Sequence, residues 1–170
     1  MKYIGCVLIL LFGSISMAAV PAKKPAMKVN KILSGEGSTF GGLAGGGFTL
    51  LDVRRTADAK KRLERIVLDI GDINGATKKG WPGYYFAELK SNPQRLIMDF
   101  SQMPNARINQ AQINASLKGS TAIRRTAMSM DPTDSSLILS MDLKPNTKVR
   151  VYQVAGKKST SKVVIDLQAQ

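Results

Sequence analysis

Two arginine pairs and four aspartates are the residues of this chain whose types and spacing could hold a ligand. The segment Val53-Arg54-Arg55-Thr56-Ala57 returns later as Ile123-Arg124-Arg125-Thr126-Ala127. Each copy leads into short apolar runs that end in an aspartate between apolar residues, namely Asp69, Asp99, Asp142 and Asp166. Guanidinium groups grip carboxylates with two parallel hydrogen bonds. The duplicated arginines therefore predict a pair of related sites for an anionic ligand.

The same residues allow a structural interpretation, in which the charges neutralise one another on the protein surface. Arginines and aspartates that lie opposite each other on adjacent strands form ion pairs. Arg54 and Arg124 share one strand parity, whereas Arg55 and Arg125 share the other. The sequence leaves both interpretations open for each arginine.

The composition excludes several classes of enzyme. The chain has no histidine, so it can form neither a Ser-His-Asp or Cys-His nucleophile nor an imidazole zinc site. Its single cysteine, Cys6, lies in the N-terminal apolar run, which leaves no thiolate or disulfide for the remainder. Carboxylates, Lys and Tyr remain for catalysis, and an enzyme that uses carboxylates alone is the alternative, but no Asp or Glu lies in a context that marks it as an acid of raised pKa. We expect a protein that is not an enzyme and that needs no cofactor or metal.

The charge of the chain indicates the kind of partner. The formal net charge is +13, and such a field either keeps a protein soluble or attracts an anionic polymer, a lipid surface or an acidic protein. Nucleic acid is not expected as a partner. The sequence has neither an aromatic RNA-binding motif nor a basic helix that could enter a groove.

Residues 1–18 have the features of a secretory signal peptide. Lys2 supplies the positive end, residues 3–15 the apolar run, and Ser16-Met17-Ala18 a small-residue cleavage site. The apolar run is shorter than the roughly 20 residues that span a bilayer, so no transmembrane segment is expected after cleavage. Residues 19–47 are rich first in Lys and Pro and then in Gly, which predicts a flexible linker. The expected location is the bacterial periplasm.

The remaining residues, 48–170, alternate apolar and polar side chains in short runs, which predicts an all-β domain. We expect four strands in each half, joined by a crossover with about one helical turn. Each half is expected to form one four-stranded sheet, and the two similar sheets to pack face to face as a sandwich. Leu68 and Ile165 then face inward, whereas Asp69 and Asp166 face outward. The predicted strands are 48–55, 63–70, 84–90, 94–100, 121–128, 137–143, 148–154 and 162–167.

The order and duplication of these motifs resemble the AMIN domain, a periplasmic module attached to N-acetylmuramoyl-L-alanine amidases and to secretins of type IV pilus systems. The resemblance implies a β-sandwich with a targeting role. Such a module holds its host at peptidoglycan or serves as an accessory subunit that docks onto a secretin or pilus machine. The motifs concerned are Arg65-Ile66-Val67-Leu68-Asp69-Ile70, Asn92-Pro93-Gln94-Arg95-Leu96-Ile97-Met98-Asp99-Phe100, Ile123-Arg124-Arg125 and Lys162-Val163-Val164-Ile165-Asp166-Leu167.

The expected ligand contacts lie on the outer faces of the two sheets. There, basic side chains alternate with the four aspartates and are expected to hold the stem peptides of peptidoglycan. These basic residues are Arg54, Arg65, Arg95, Arg124 and Lys162. Trp81 and Tyr84 lie at or beside a Pro-Gly turn and are expected to stack on sugar rings, with packing against the domain as the alternative.

Overall fold

The computed structural model describes residues 31–33, 35–157 and 160–169. The predicted signal peptide (1–18) and the first part of the predicted linker (19–30) lie outside the described residues. Apart from one short helix, the regular elements are strands. In chain order the strands are β1 (Lys31–Leu33), β2 (Gly37–Gly41), β3 (Phe48–Asp58), β4 (Leu63–Asp72), β5 (Tyr85–Ser91), β6 (Gln94–Phe100), β7 (Asn105–Ala106), β8 (Ile123–Asp131), β9 (Ser136–Leu143), β10 (Lys148–Val154) and β11 (Ser161–Gln168).

The strands form two sheets, in which neighbours are antiparallel except for β3 and β7. The first sheet has the order β1-β10-β11-β4-β3-β7, and its last strand has only two residues. The second sheet has the order β2-β5-β6-β9-β8. All eight predicted strands are present, with ends shifted by a few residues at most. The all-β prediction is therefore confirmed.

Each sheet is built from both halves of the chain, which corrects the prediction that each half forms its own sheet. In the first sheet, hairpin β3-β4 meets hairpin β10-β11 through a pairing of β4 with β11. In the second sheet, hairpin β5-β6 meets hairpin β8-β9 through a pairing of β6 with β9. Exchanging the halves turns the order β3-β4-β11-β10 into β8-β9-β6-β5, so the two sheets are topologically equivalent. Alternation along a strand fixes which side chains face the core, but not which hairpin lies beside it.

The inward rows predicted from alternation form one hydrophobic core between the sheets. Leu68 and Ile165 of the first sheet are fully buried, as are Leu96 and Leu139 of the second. These side chains belong to a single cluster, as expected where two sheets pack face to face. Burial on this scale is the main source of stability for a domain of this size.

Residues 31–33 and 37–41 form strands rather than the predicted linker. Strand β1 extends the first sheet beside β10, and β2 extends the second sheet beside β5. The glycines that suggested flexibility are needed for close packing. A Cβ at Gly41 would lie 2.6 Å from the hydroxyl of Tyr85, and one at Gly42 would lie 2.0 Å from the carbonyl oxygen of Gly83.

The crossover between the halves contains a two-turn helix rather than a single turn. Helix α1 (Gln110–Leu117) begins after Asn109, whose side chain accepts a hydrogen bond from the backbone N–H of Gln112. The Gln112 side chain in turn accepts one from the backbone N–H of Asn109, which completes a capping box. Ile113 and Leu117, one turn apart, are buried. The described chain contains no helix with the length and apolar character that a membrane crossing requires.

Candidate binding surfaces

On the outer face of the first sheet, three donors surround the carboxylate of Asp69. Nε of Arg54 donates at 2.9 Å, Oγ1 of Thr160 donates at 2.8 Å, and Nζ of Lys162 lies 3.2 Å away. Only 6% of Asp69 is exposed. Burial alone would raise the pKa of Asp69, but the hydrogen bonds from Thr160, Arg54 and Lys162 outweigh it and hold the pKa below its usual value. Arg54 and Lys162 are thus engaged by a carboxylate of the protein itself.

A second ion pair on the same face joins Arg65 of β4 to Asp166 of β11. Nε and Nη2 of Arg65 donate to the two oxygens of Asp166 at 2.7 and 2.9 Å. The guanidinium also lies over the ring of Tyr152, 5.9 Å from its centroid. The hydrogen bond to Asp166 raises the pKa of Arg65 further above its usual value. Asp166 is 7% exposed, and the guanidinium of Arg65 covers its carboxylate through this bidentate contact.

The outer face of the second sheet carries a corresponding ion pair at Asp142. Nε of Arg95 lies 2.5 Å from one oxygen of Asp142, and Nε of Arg125 lies 3.0 Å from the other. These contacts, the hydrogen bond from Arg95 above all, lower the pKa of Asp142. Asp142 therefore stays charged at neutral pH and holds two arginines at once.

The two copies of the arginine repeat take different registers, which corrects the prediction that Arg54 and Arg124 are equivalent. In β3 the pairing shifts between Leu50 and Asp52, ahead of the arginines, whereas in β8 it shifts at Arg124 itself. A β-bulge leaves one residue unpaired and re-aims the side chains that follow it. Arg125 therefore takes the contact with the strand aspartate, and Arg124 is left exposed.

Asp99 differs from the other three aspartates, because no arginine of the described residues contacts it. Its Oδ1 is buried and accepts no hydrogen bond from the residues that the structure describes. Its cross-strand neighbours are Phe86 on β5 and Ile138 on β9. Desolvation, together with the negative charge of Asp134, raises the pKa of Asp99.

Most of the basic residues predicted on the sheet faces are therefore held by the protein's own aspartates. Arg54, Arg65, Arg95 and Lys162 each have a nitrogen within 3.2 Å of a carboxylate oxygen. The structural interpretation, which the sequence left open, describes these four residues. The sheet faces consequently offer fewer unpaired cations than the net charge suggests.

Of the two aromatic residues predicted to stack on sugars, Tyr84 is half-buried and belongs to a ring pair whose other member is exposed. Its ring lies 6.4 Å from that of Phe40, which is on β2 and is 62% exposed. Trp81 is half-buried and takes part in neither ring pair found among the described residues. The sequence analysis did not predict Phe40 as a candidate contact residue, because it lies in the segment predicted as a linker.

Arg124 lies at a cleft at one end of the sandwich. The cleft has a volume of about 510 Å³ and lies among the β5-β6 turn, the β9-β10 loop and the start of β8. Its lining includes the cations Arg124 and Lys148 and the amides Asn92 and Asn146. None of the described carboxylates lines it. The first cleft therefore suits an anionic ligand that also accepts hydrogen bonds.

Lys148 also borders a second cleft, of about 480 Å³, between β4, β10 and β11. The lining includes Arg65, whose charge is neutralised by Asp166, and Arg150. No ion pair joins Arg124, Lys148 or Arg150 to a carboxylate within the described ranges. These three residues, here called the cleft cations, leave a positive field at two adjoining clefts.

Lys148 and Arg150 lie outside the repeated motifs, and the sequence analysis did not predict them as binding residues. They alternate along β10 with Val149 and Val151, so the two cations are exposed while the two valines are buried. Opposite Lys148 on β11 lies Gln168 rather than an acid. Arg150 lies opposite Asp166, whose two oxygens accept hydrogen bonds from Arg65. Two cations at alternate positions of one strand are a signal that could have identified them.

A buried carboxylate ties the crossover to the first sheet. Glu64 of β4 is 2% exposed and accepts hydrogen bonds from the hydroxyl of Ser120 at 2.6 Å and from the hydroxyl and backbone N–H of Thr121. Nη1 of Arg55 lies 3.3 Å from it. Burial would raise the pKa of Glu64, but these hydrogen bonds and the charge of Arg55 hold the pKa below its usual value. Arg55 is thus part of the internal structure rather than a free ligand-binding group.

No protein-family model matches this chain, and no curated protein matches it. The resemblance to the AMIN domain thus rests on the sequence motifs alone, and the surfaces described above must carry the functional conclusion.

Proposed function

We propose that this protein is a non-catalytic module of the bacterial cell envelope that binds peptidoglycan through the two adjoining clefts. In this proposal, residues 1–18 direct export to the periplasm, and the sandwich serves as an AMIN-like targeting domain. The cleft cations Arg124, Lys148 and Arg150 hold carboxylates of the stem peptides by charge-assisted hydrogen bonds. Asn92 donates to the peptide carbonyls of the same ligand.

The contrast between paired and unpaired cations carries the proposal. The arginines of the sheet faces are held by Asp69, Asp142 and Asp166, whereas the cleft cations lack a carboxylate partner among the described residues. An unpaired cation keeps its attraction for an external anion, because no internal ion pair has to be broken first. The proposed ligand surface thus moves from the whole of both sheet faces, expected from the sequence, to one end of the sandwich. It includes the adjoining end of the first sheet's outer face, where Arg65 and Asp166 border the second cleft.

Affinity in this proposal comes from several weak contacts to a repetitive polymer. Each contact between an exposed cation and a carboxylate contributes up to about 1 kcal/mol. A module that leaves one stem peptide is close to the next one, so rebinding raises the apparent affinity without new contacts. Because the cations are exposed, binding is expected to weaken as the ionic strength rises.

A binding role without a chemical step agrees with the state of the carboxylates. Glu64, Asp69 and Asp142 have lowered pKa values and are held by hydrogen bonds. A general acid at neutral pH needs the opposite, a raised pKa beside the reacting group. The pKa of Asp99 is raised, but Asp99 lines neither of the two clefts. The first cleft has no carboxylate among its described lining residues, so we propose no catalytic residue there.

Sedimentation with purified sacculi at low salt tests the proposal. The double variant Arg124→Ala/Lys148→Ala removes both cations of the first cleft, and we expect it to weaken binding about tenfold. The matched control, Lys79→Ala/Lys157→Ala, removes two exposed lysines near the far end of β10. Its affinity is expected to stay within about twofold of the wild-type value, because exposed charges away from the ligand are screened.

Complete recovery of the wild-type protein in the unbound fraction would reject the proposal. Equal losses in the two double variants would also reject it, because binding would then depend on net charge alone. Arg54→Ala adds a further contrast. The guanidinium of Arg54 is held by Asp69, so Arg54→Ala is expected to bind sacculi with wild-type affinity. If the ligand bound the sheet face instead, this variant would bind more weakly.

The second candidate, docking onto a secretin, a pilus subunit or another envelope protein, needs a surface that suits a protein. The outer face of the second sheet offers apolar side chains around Asp99, with the exposed ring of Phe40 on the adjoining edge strand. Such a face can serve a protein partner whether or not the clefts bind the wall.

A further inference from the structure

The two equivalent sheets place corresponding aspartates in different surroundings. Lys162 of β11 and Arg95 of β6 occupy the same register position, since each lies directly opposite an aspartate of the neighbouring central strand. Further along the same two strands come Asp166 and Asp99. The internal repeat therefore allows a direct comparison between Asp166, which is held by an arginine, and Asp99, which no described arginine contacts.

The cross-strand neighbours of these two aspartates differ in character. Asp166 lies between Arg65 on β4 and Arg150 on β10. Asp99 lies between Ile138 on β9 and Phe86 on β5. Both sheets thus keep the carboxylate, but only the first sheet keeps the guanidinium that closes over it.

The surface around Asp99 is apolar and partly covers the carboxylate. Ile97, the next outward residue of β6, is half-buried, and Phe40 lies beside Phe86 with 62% of its surface exposed. Oδ1 of Asp99 is buried without a hydrogen-bond donor among the described residues. An unsatisfied buried acceptor is unfavourable, so a donor from outside the chain is stabilising at this position.

We propose that the outer face of the second sheet docks a protein partner that inserts an arginine side chain at Asp99. A rotation of the half-buried Asp99 side chain brings its buried Oδ1 to the surface. Nε and one Nη of the guanidinium then donate to the two carboxylate oxygens, as those of Arg65 do at Asp166. Phe86 and Ile138 contact the apolar stem of the inserted arginine. Apolar side chains beside that arginine cover the rest of the face.

The chemistry of the face selects arginine over other occupants. Arg65 shows that a planar, bidentate donor fits the carboxylate of Asp166, the equivalent aspartate of the first sheet, with contacts of 2.7 and 2.9 Å. An ammonium group is more strongly hydrated and loses more on entering an apolar surface. A sugar polymer has no guanidinium, so the occupant is a protein. Asp134, whose charge acts on Asp99, adds to the attraction for a cation.

This inference does not depend on wall binding, because Asp99 and its neighbours Phe86 and Ile138 line neither cleft. The probe is the tripeptide acetyl-Leu-Arg-Leu-amide, titrated into isotope-labelled protein and followed by NMR. We expect saturable shifts of the Asp99 carboxyl carbon and of the amides of Phe86 and Ile138. The same peptide with citrulline, which has the shape of arginine without its charge, is expected to bind at least about tenfold more weakly.

Two variants test the assignment to Asp99. Asp99→Asn keeps the shape of the side chain and removes its charge, and it is expected to raise the dissociation constant of the arginine peptide at least about tenfold. Ile138→Arg supplies the guanidinium from within the chain, as in the first sheet, and is expected to block the probe. Dispersed amide resonances confirm that each variant is folded. Equal binding of the arginine and citrulline peptides, or undiminished binding by either folded variant, would overturn the proposal, as would a titration without shifts at these residues.

Discussion

Glu64→Ala is expected to lower the free energy of unfolding by about 3–5 kcal/mol. The substitution removes the acceptor of the hydrogen bonds from Ser120 and Thr121, and it leaves the guanidinium of Arg55 without its buried counter-charge. Removing one partner of a buried ion pair is strongly destabilising, because the remaining charge stays desolvated. Urea unfolding at neutral pH measures this loss.

The matched control for this prediction is Glu88→Ala. Glu88 contacts Lys90 at 3.6 Å and its side chain is 41% exposed, so a change within about 0.5 kcal/mol is expected. Equally small losses in both variants would contradict a structural role for Glu64. The difference in the free energy of unfolding between the wild type and Glu64→Ala should also depend on pH. The folded-state pKa of Glu64 is lowered, so its contribution is present above the unfolded-state pKa and is lost as the pH falls through the folded-state pKa.

Neither half of the chain is expected to fold alone. The centre of each sheet is a pairing between halves, of β4 with β11 and of β6 with β9. A separated half would keep two hairpins whose central edges and apolar faces are open, and isolated hairpins are at best marginally stable in water. Residues 31–106 and 107–169, expressed separately, should each lack dispersed amide resonances and a cooperative unfolding transition. Mixing the two pieces should restore both.

The intact chain, measured under the same conditions, is the control for the separated halves. A half that unfolds cooperatively in urea by itself would contradict the exchange of hairpins between the sheets. It would favour the simpler arrangement in which each half closes its own four-stranded sheet.

Alternation of apolar residues was sufficient to find the eight long strands and the side chains that face the core. Leu68 and Ile165 are buried, while Arg65 and Arg95 lie on the outer faces, as a period of two requires. The same alternation cannot choose between hairpin neighbours, because every hairpin presents a similar apolar face. The repeat correctly indicated two equivalent sheets, but equivalence holds equally when the halves exchange hairpins.

The glycine-rich segment was difficult to predict, because linkers and tightly packed edges favour the same residue. Gly41 and Gly42 meet Tyr85 and Gly83, which lie far away in the sequence. Only the pairing of β2 with β5 brings these neighbours together. A local pattern therefore carries no signal that separates this edge strand from a flexible tether.

The candidate site was predicted in part. The aspartates were correctly expected on the outer faces, and three of them accept the ion pairs that the sequence left as one of two interpretations. No pattern distinguishes Arg124 from Arg125, because a β-bulge at Arg124 decides which of them reaches Asp142. Lys148 and Arg150 come near Arg124 only through long-range strand pairing, which the sequence does not reveal.

Chemical-shift mapping with a soluble disaccharide-tetrapeptide released from peptidoglycan tests the central claim most directly, because it locates the ligand on one surface. In this account the ion pairs of the sheet faces stabilise the fold and the cleft cations bind the ligand. The largest amide shifts are therefore expected at Arg124, Asn146 and Lys148. The amides of Arg54 and Arg95 should stay close to their free positions. Largest shifts at Arg54 and Arg95, with the clefts unaffected, would contradict this division of roles.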